Sequence, residues 1–259
     1  MQKTSSLYKE LLADPLHYTE TRVSIGDTGR LITKTGNYIT FGGARILVAT
    51  TGADAGYNES LLSEVNVSAA LFSAEEPTVG SCVSREVSVR MLKPTGAIEG
   101  LSRIGLYTRL TDGERHSEWL PQGVYFIDEM SQSGDDPVWL DIHGFDAILF
   151  AEQDYPAKSA LSWPARDIDV VRETAATIGV TLDSRTVELM NAGYTVEYPT
   201  EYSCREVLGY IAAMYGGCFV MSERGELRLV CFWSLPRETS YLIDNAGNTI
   251  TFGGVKIRV

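Results

Sequence analysis

Alternation with a period of two is the feature that most limits what this chain can become. Val65, Val67 and Ala69 alternate with Asn66 and Ser68, and Val87, Val89 and Met91 alternate with Ser88 and Arg90. Such a run buries one face of a strand and leaves the other in water. The runs at 103–110 and 114–120 flank Thr111-Asp112-Gly113, and Asp-Gly between two strand-like runs signals a tight hairpin because both residues tolerate positive φ. A second hairpin is predicted from 124–127 and 138–142, joined by a polar loop at 131–137. Short strands with turn signals at this spacing predict a β-sandwich or barrel over residues 16–144. Ahead of them, residues 6–12 read as a short amphipathic helix that Asp14-Pro15 stops.

The periodicity then changes. Ser162-Trp163-Pro164 is read as the opening of a helix whose apolar residues Ile168, Val171, Ala175 and Ile178 recur at helical spacing, with Gly179 closing it. Ser203-Cys204-Arg205-Glu206 has the form of a capping box, with Tyr202 and Val207 at the staple positions. Val207, Leu208, Ile211, Met214 and Tyr215 form the apolar face of this second helix, and Gly216-Gly217 ends it. Strands at 218–221 and 227–230 follow, joined by a turn at 222–225. The fold class is therefore mainly β with an α+β insertion. A barrel- or sandwich-like tube domain at 1–152 is interrupted by a small helix-plus-hairpin domain at 153–236, and residues 237–259 return to β structure.

That return is detailed. Residues 31–48 align without gaps to residues 242–259 with identities at 11 of 18 positions, including Ile39-Thr40-Phe41-Gly42-Gly43 against Ile250-Thr251-Phe252-Gly253-Gly254. Each copy reads as a strand, a Gly-Asn turn, an Ile-Thr-Phe strand, a Gly-Gly bend and a further strand. Either the second copy closes the first barrel from the far end of the chain, or it begins a second barrel. A reused hairpin with no duplicated domain behind it also fits.

Composition narrows the function. A chain of 259 residues with 44% hydrophobic residues packs a core without covalent staples. No apolar run is long enough to span a bilayer, and the start lacks the apolar stretch of a secretion signal, so synthesis is expected to end in the cytoplasm. Cys82, Cys204, Cys218 and Cys231 form no C-x-x-C pair, and His17, His116 and His143 stand near none of them, so no zinc site is expected. Cys218 and Cys231, in apolar strand-like stretches, read as buried reduced thiols. A net charge of −12 excludes attraction to a phosphate backbone as the driving force.

No reactive constellation emerges. Glu75-Glu76 and Asp135-Asp136 are adjacent in sequence, whereas acid/base work needs carboxylates converging on one point. His116 lies just past a turn and His143 at a strand end. Thr40-Phe41-Gly42-Gly43 and Tyr215-Gly216-Gly217 lack the further residues of a phosphate cradle and read as bends. No catalytic, cofactor-binding or metal-binding residue is assigned, no cofactor is expected, and the chain reads as a non-enzyme. Trp119, Trp139, Trp163 and Trp233, with 13 tyrosines, suit either core packing or interfaces.

Two passages resemble bacteriophage and prophage tail-hub proteins. The run FSAEEPTVGSCV at 72–83, followed by the strand at 87–91 and by LTDGERHSEW at 110–119, resembles the N-terminal barrel of that family. The run SCREVLGYIAA at 203–213, then Gly216-Gly217 and Gly225-Glu226-Leu227-Arg228-Leu229, is similar to a block of the PBSX-like and Mu-like hubs. The resemblance implies a structural component of a tail tip: a ring, trimeric in that family, joining the tail tube to a spike or fibre-bearing tip and surrounding the DNA channel. It implies as partners further copies of the chain, a tube or distal tail protein, and spike, tip or fibre proteins. Phage DNA would pass through the bore without specific binding, past an acidic wall, and no membrane insertion is expected. The place implied is the virion tail, assembled in the bacterial host cytoplasm. The alternative is another structural or carbohydrate-binding β-module.

Overall fold

The structure, a computed structural model, describes residues 2–26, 29–30, 40–41, 44–45, 47–48, 56–72, 76–94, 98, 100–132, 138–190, 193–232, 251–252 and 255–256. Helix α1 (Ser6–Ala13) forms where sequence places it, with the Ser5 hydroxyl accepting the Tyr8 N–H at 3.0 Å and the chain turning extended at Asp14 before Pro15.

Besides short two-residue strands between residues 29 and 48, seven strands follow: β1 (Tyr18–Ile25), β2 (Tyr57–Asn58), β3 (Leu62–Ser68), β4 (Glu86–Leu92), β5 (Arg103–Thr111), β6 (Leu120–Gln132) and β7 (Trp139–Phe145). They form one antiparallel sheet in the order β2-β1-β5-β6-β7-β4-β3. Its two outermost strands are neighbours in sequence. In a flat sheet of this order they would stand about 29 Å apart, at about 4.8 Å per strand. The chain from Asn58 to Leu62 spans at most about 14 Å, and the Leu61 N–H donates to the Asn58 carbonyl at 2.9 Å, tightening it further. The sheet therefore rolls up. Its inner face confirms the curl, because Val23, Tyr57, Leu62, Val65, Val89, Met91, Ile104, Leu106, Tyr125, Ile127 and Ile142 join one apolar cluster drawn from all seven strands.

The hairpin at Thr111-Asp112-Gly113 is wider than the sequence suggests. Thr111 bridges His116, and continuous pairing resumes only where Leu120 faces Thr108. Asp112 organises the larger loop: its carboxylate accepts the N–H groups of Arg115 at 2.8 Å and Glu114 at 3.0 Å, which hold the carboxyl down at about 2.

Beyond β7 the chain builds the α/β unit. A 3-10 turn (Ala147–Glu152) leads to β8 (Ala165–Arg166), α2 (Asp167–Thr177), α3 (Ser184–Leu189), β9 (Thr195–Val196), α4 (Cys204–Met214), β10 (Gly217–Met221) and β11 (Leu227–Cys231). Helix α2 starts later than Ser162-Trp163-Pro164 predicts, because Ala165 and Arg166 pair with Val196 and Thr195 instead. Gly179 follows its end at φ +80, a conformation costly for any side chain.

Helix α4 has the complete capping box read from the sequence, and Val207, Leu208 and Ile211 are buried. Two details differ. Met214 is exposed rather than part of the buried face, and the Tyr202 ring packs against Tyr210 at 5.3 Å on the outside of the helix. A second apolar core, including Ile168, Val171, Met190, Leu208, Ile211, Phe219, Leu227 and Leu229, fills this unit.

The internal repeat is described at Thr40–Phe41, Ala44–Arg45 and Leu47–Val48 of the first copy, the last paired with Gly29–Arg30, and at Thr251–Phe252 and Val255–Lys256 of the second. Thr40–Phe41 pairs with Ala44–Arg45 and Thr251–Phe252 with Val255–Lys256, in the same register at aligned positions. The rest of both copies lies outside the described residues.

Candidate interaction site

The groups in which sequence sought chemistry stay apart. Glu75, Asp135 and Asp136 lie outside the described residues, and Glu76 is exposed. His116 Nδ1 is 3.6 Å from Glu20, whose carboxylate also accepts from Arg109 Nε at 2.5 Å. His143 faces outward from β7, 3.8 Å from Glu86 on β4. Among the described residues no three potential metal ligands converge.

Cys82, Cys204 and Cys218 are free thiols. Burial pushes the Cys82 thiol up to about 12 and the Cys204 thiol to about 11, so both stay protonated and inert at neutral pH. Cys218 is fully buried, as expected, whereas Cys231 is only half-buried.

Three of the four tryptophans pack within the chain. Trp119 carries Arg22 at 4.1 Å and Arg109 at 4.5 Å from its ring centre, Trp139 carries Arg90 at 5.7 Å, and Trp163 meets the Tyr198 and Tyr155 rings at 5.2 and 6.2 Å. Trp233 lies outside the described residues.

What the fold does bring together are the two family-like passages. The segment leaving residues 72–79 runs beside β10: Gly80 N–H donates to the Gly217 carbonyl at 2.7 Å, Phe219 N–H donates to the Ser81 carbonyl at 3.2 Å, and Cys82 pairs with Phe219 in parallel. Gly80 then rests against Gly209 of α4. A Cβ on Gly80 would stand 2.8 Å from the Gly209 carbonyl oxygen, and one on Gly209 would stand 2.7 Å from that of Gly80. Only two glycines allow this approach, and Gly80 also holds φ at +82.

Arg85 and Asp146 fasten the same junction. They flank the paired ends of β4 and β7, with Arg85 Nε 3.5 Å from the carboxylate. The wholly buried Asp146 accepts the N–H groups of Arg85 and Ile148, each at 3.1 Å, while burial pushes its carboxyl up. The Arg85 guanidinium also donates to the Ser222 carbonyl, in the turn between β10 and β11, at 3.1 Å. Beside this polar joint Phe126 of β6 meets Phe150 edge to face at 4.9 Å, so the α/β unit packs directly on the barrel wall.

The outer side of the junction is a groove of about 450 Å³ between residues 79–83 and α4, lined by Val79, Val83, Arg205, Gly209, Tyr210 and Ala213. Val79, Tyr202, Tyr210 and Met214 present large apolar side chains to solvent on the segment and helix that frame it. Such a surface supplies contact area for another protein rather than bond-making groups. Sequence reasoning had singled out both passages without their meeting. The available signal is Gly209, a glycine inside a helix where no turn calls for one.

The molecule is thus a mainly β scaffold: a rolled seven-stranded antiparallel sheet carrying an α/β unit on one wall. No family model and no curated protein sequence matches the chain. Among solved structures it is similar to the 43 kDa tail protein of prophage MuSo2 from Shewanella oneidensis, with 12% identity and a TM-score of 0.46 over 90% of this chain and 58% of that one. It is similar also to a tail protein from Neisseria meningitidis MC58, with 12% identity and a TM-score of 0.45 over 90% of this chain and 59% of that one. The chain spans under two thirds of the length of either.

Proposed function

We propose that this chain is a structural component of a phage-type tail tip, forming the hub ring that joins the tail tube to a spike or fibre-bearing tip. One observation carries the reading. The passages at 72–83 and 203–213, which resemble tail-hub sequences, lie far apart in the chain and meet through the Gly80–Gly209 approach. The resembling residues therefore lie at the junction between the α/β unit and the barrel, beside the Arg85–Asp146 joint. In this reading the chain divides at 1–152, 153–236 and 237–259, and it works as a non-enzyme. It associates with copies of itself as a trimer, with a tube or distal tail protein and with tip or fibre proteins, and resides in the virion tail. A net charge of −12 suits a ring whose bore passes DNA without holding it. Sedimentation and native mass spectrometry of the purified chain test the ring: a closed trimer is expected, and a monomer at every accessible concentration contradicts it.

A further inference from the structure

Helix α1 is attached to the barrel differently from every longer element. Leu11 is its only fully buried residue. Leu7 and Tyr8 are half-buried, and its hydrogen bonds and ion pair to the barrel lie near the surface. Ser5 donates through its N–H and hydroxyl to the Glu118 carboxylate at 2.6 and 2.5 Å, Arg115 pairs with Glu10 at 2.6 Å, and Gln2 Nε2 donates to the Pro121 carbonyl at 2.7 Å. All these partners belong to one stretch of the barrel, residues 115–121. An isolated helix of eight residues is marginal in water, and exposed ion pairs add little, so α1 belongs to the least stable part of the molecule.

The chain that follows α1 is a short turn outside the sheet, held by the Leu16 N–H on the Asp14 carboxylate at 2.9 Å and the His17 N–H on the Asp14 carbonyl at 3.3 Å, bonds that open when the helix leaves. Asp14 is already extended, at φ −78 and ψ 122, and Pro15 holds it away from helical geometry. Around this hinge Leu12, Leu16 and Tyr18 are 55%, 80% and 49% exposed. Three large apolar side chains therefore stand in solvent beside one that is docked.

We propose that α1 is an exchange arm, which leaves its own barrel and docks on the same seat of a second copy of this chain. The seat identifies the occupant. A buried position for Leu11, a carboxylate at Glu118 placed to receive the Ser5 N-cap, and a guanidinium at Arg115 placed for Glu10 match this helix in burial and charge. Every copy carries both halves. Exchange re-forms each of these contacts between chains, while the straightened hinge brings Leu12, Leu16 and Tyr18 against the neighbouring barrel, where they leave water. The inference is independent of the tail reading, since exchange without a ring and a ring without exchange are both possible outcomes.

Cross-linking between marked copies tests it. Glu10→Cys and Arg115→Cys sit on exposed positions whose side chains touch, and the native cysteines are buried or half-buried. With a short bis-maleimide, the double variant at low concentration is expected to close within one chain, which verifies the docked position. A mixture of the two single variants at high concentration is expected to yield covalent dimers joining one chain of each kind, several-fold above the dimer from either variant alone or from wild type. Leu11→Ala added to both chains is expected to remove that excess. The proposal is overturned if the double variant closes but the mixture gives no excess of mixed dimer, or if the excess survives Leu11→Ala. Failure of the double variant to close overturns it as well, because the arm would not be seated as described.

Discussion

The barrel and the α/β unit each bury an apolar core, yet they manage their polar groups in opposite ways. In the barrel, charged side chains stand on the outer face and pair across strands near solvent, as Arg90 does with Asp141 and Arg109 with Glu20. In and beside the α/β unit, carboxylates are driven inside and used as fasteners. Asp146 caps the 3-10 turn and holds Arg85. Asp167 opens α2 and accepts from the Ile168 N–H at 2.8 Å and from the Tyr215 hydroxyl, whose pKa is pushed up by burial and then by this bond. Asp183 caps α3 and binds the Arg185 guanidinium, which holds its carboxyl below the ordinary range. A rolled sheet satisfies its backbone by ladder pairing, so its side chains need only alternate. Short helices joined by irregular chain leave free ends that buried side chains must satisfy.

The largest expected effect separates the two units. Ile211→Asp places an unpaired charge in the core of α4, where Ile211 is 2% exposed, and the expected loss is more than about 3 kcal/mol. Hydrogen exchange should show amides of α2, α4, β10 and β11 deprotected while β5, β6 and β7 stay protected. Simultaneous loss of both would break the distinction, and an unchanged circular dichroism melt would show that the helix packing is misread.

Next comes the junction. Alanine in a helix interior usually stabilises over glycine by about 1 kcal/mol, yet Gly209→Ala is expected to cost about 1–3 kcal/mol in a urea melt, because its Cβ meets the Gly80 carbonyl at 2.7 Å. A stabilised variant would mean that the two passages do not touch.

A smaller effect probes the buried fasteners. Asp183→Asn is expected to cost about 1–2 kcal/mol at neutral pH. Because the folded-state pKa of Asp183 is lowered, its stabilisation is present above the ordinary value of 3.8 and is lost as pH falls through the folded value. The gap between variant and wild type should therefore narrow in acid, which denaturant melts across pH would follow.

The smallest effect lies in the barrel. The Tyr125 hydroxyl is buried and has no hydrogen-bond partner among the described residues, and burial raises its pKa. Tyr125→Phe is expected to be neutral or stabilising, within about 0.5 kcal/mol. A clear loss of stability in a thermal melt would show that the hydroxyl has a partner in solution.

Legibility followed the same division. Period-two patterning located β4, β5 and β7 closely, since ladder geometry is encoded residue by residue. It could not tell sandwich from barrel, because that depends on β2 and β3 sitting at opposite edges of the sheet while joined by a short turn. Around α4 the capping box was legible because its hydrogen bonds are local, whereas the start of α2 was displaced by a pairing between Ala165 and Val196 that no local rule contains. The seat of α1 and the Arg85–Asp146 joint escaped for the same reason, both being contacts between distant parts of the chain. The resemblance at 72–83 and 203–213 pointed to residues that matter without saying that they meet.

Particles offer the most direct measurement of the proposed role. In tails purified from a lysogen encoding this chain, immunogold against the α/β unit combined with peptide mass spectrometry should find the chain at one end of each tail, in a fixed copy number per particle. Its absence from purified tails, or its uniform distribution along the tube, would contradict a hub at the tail tip.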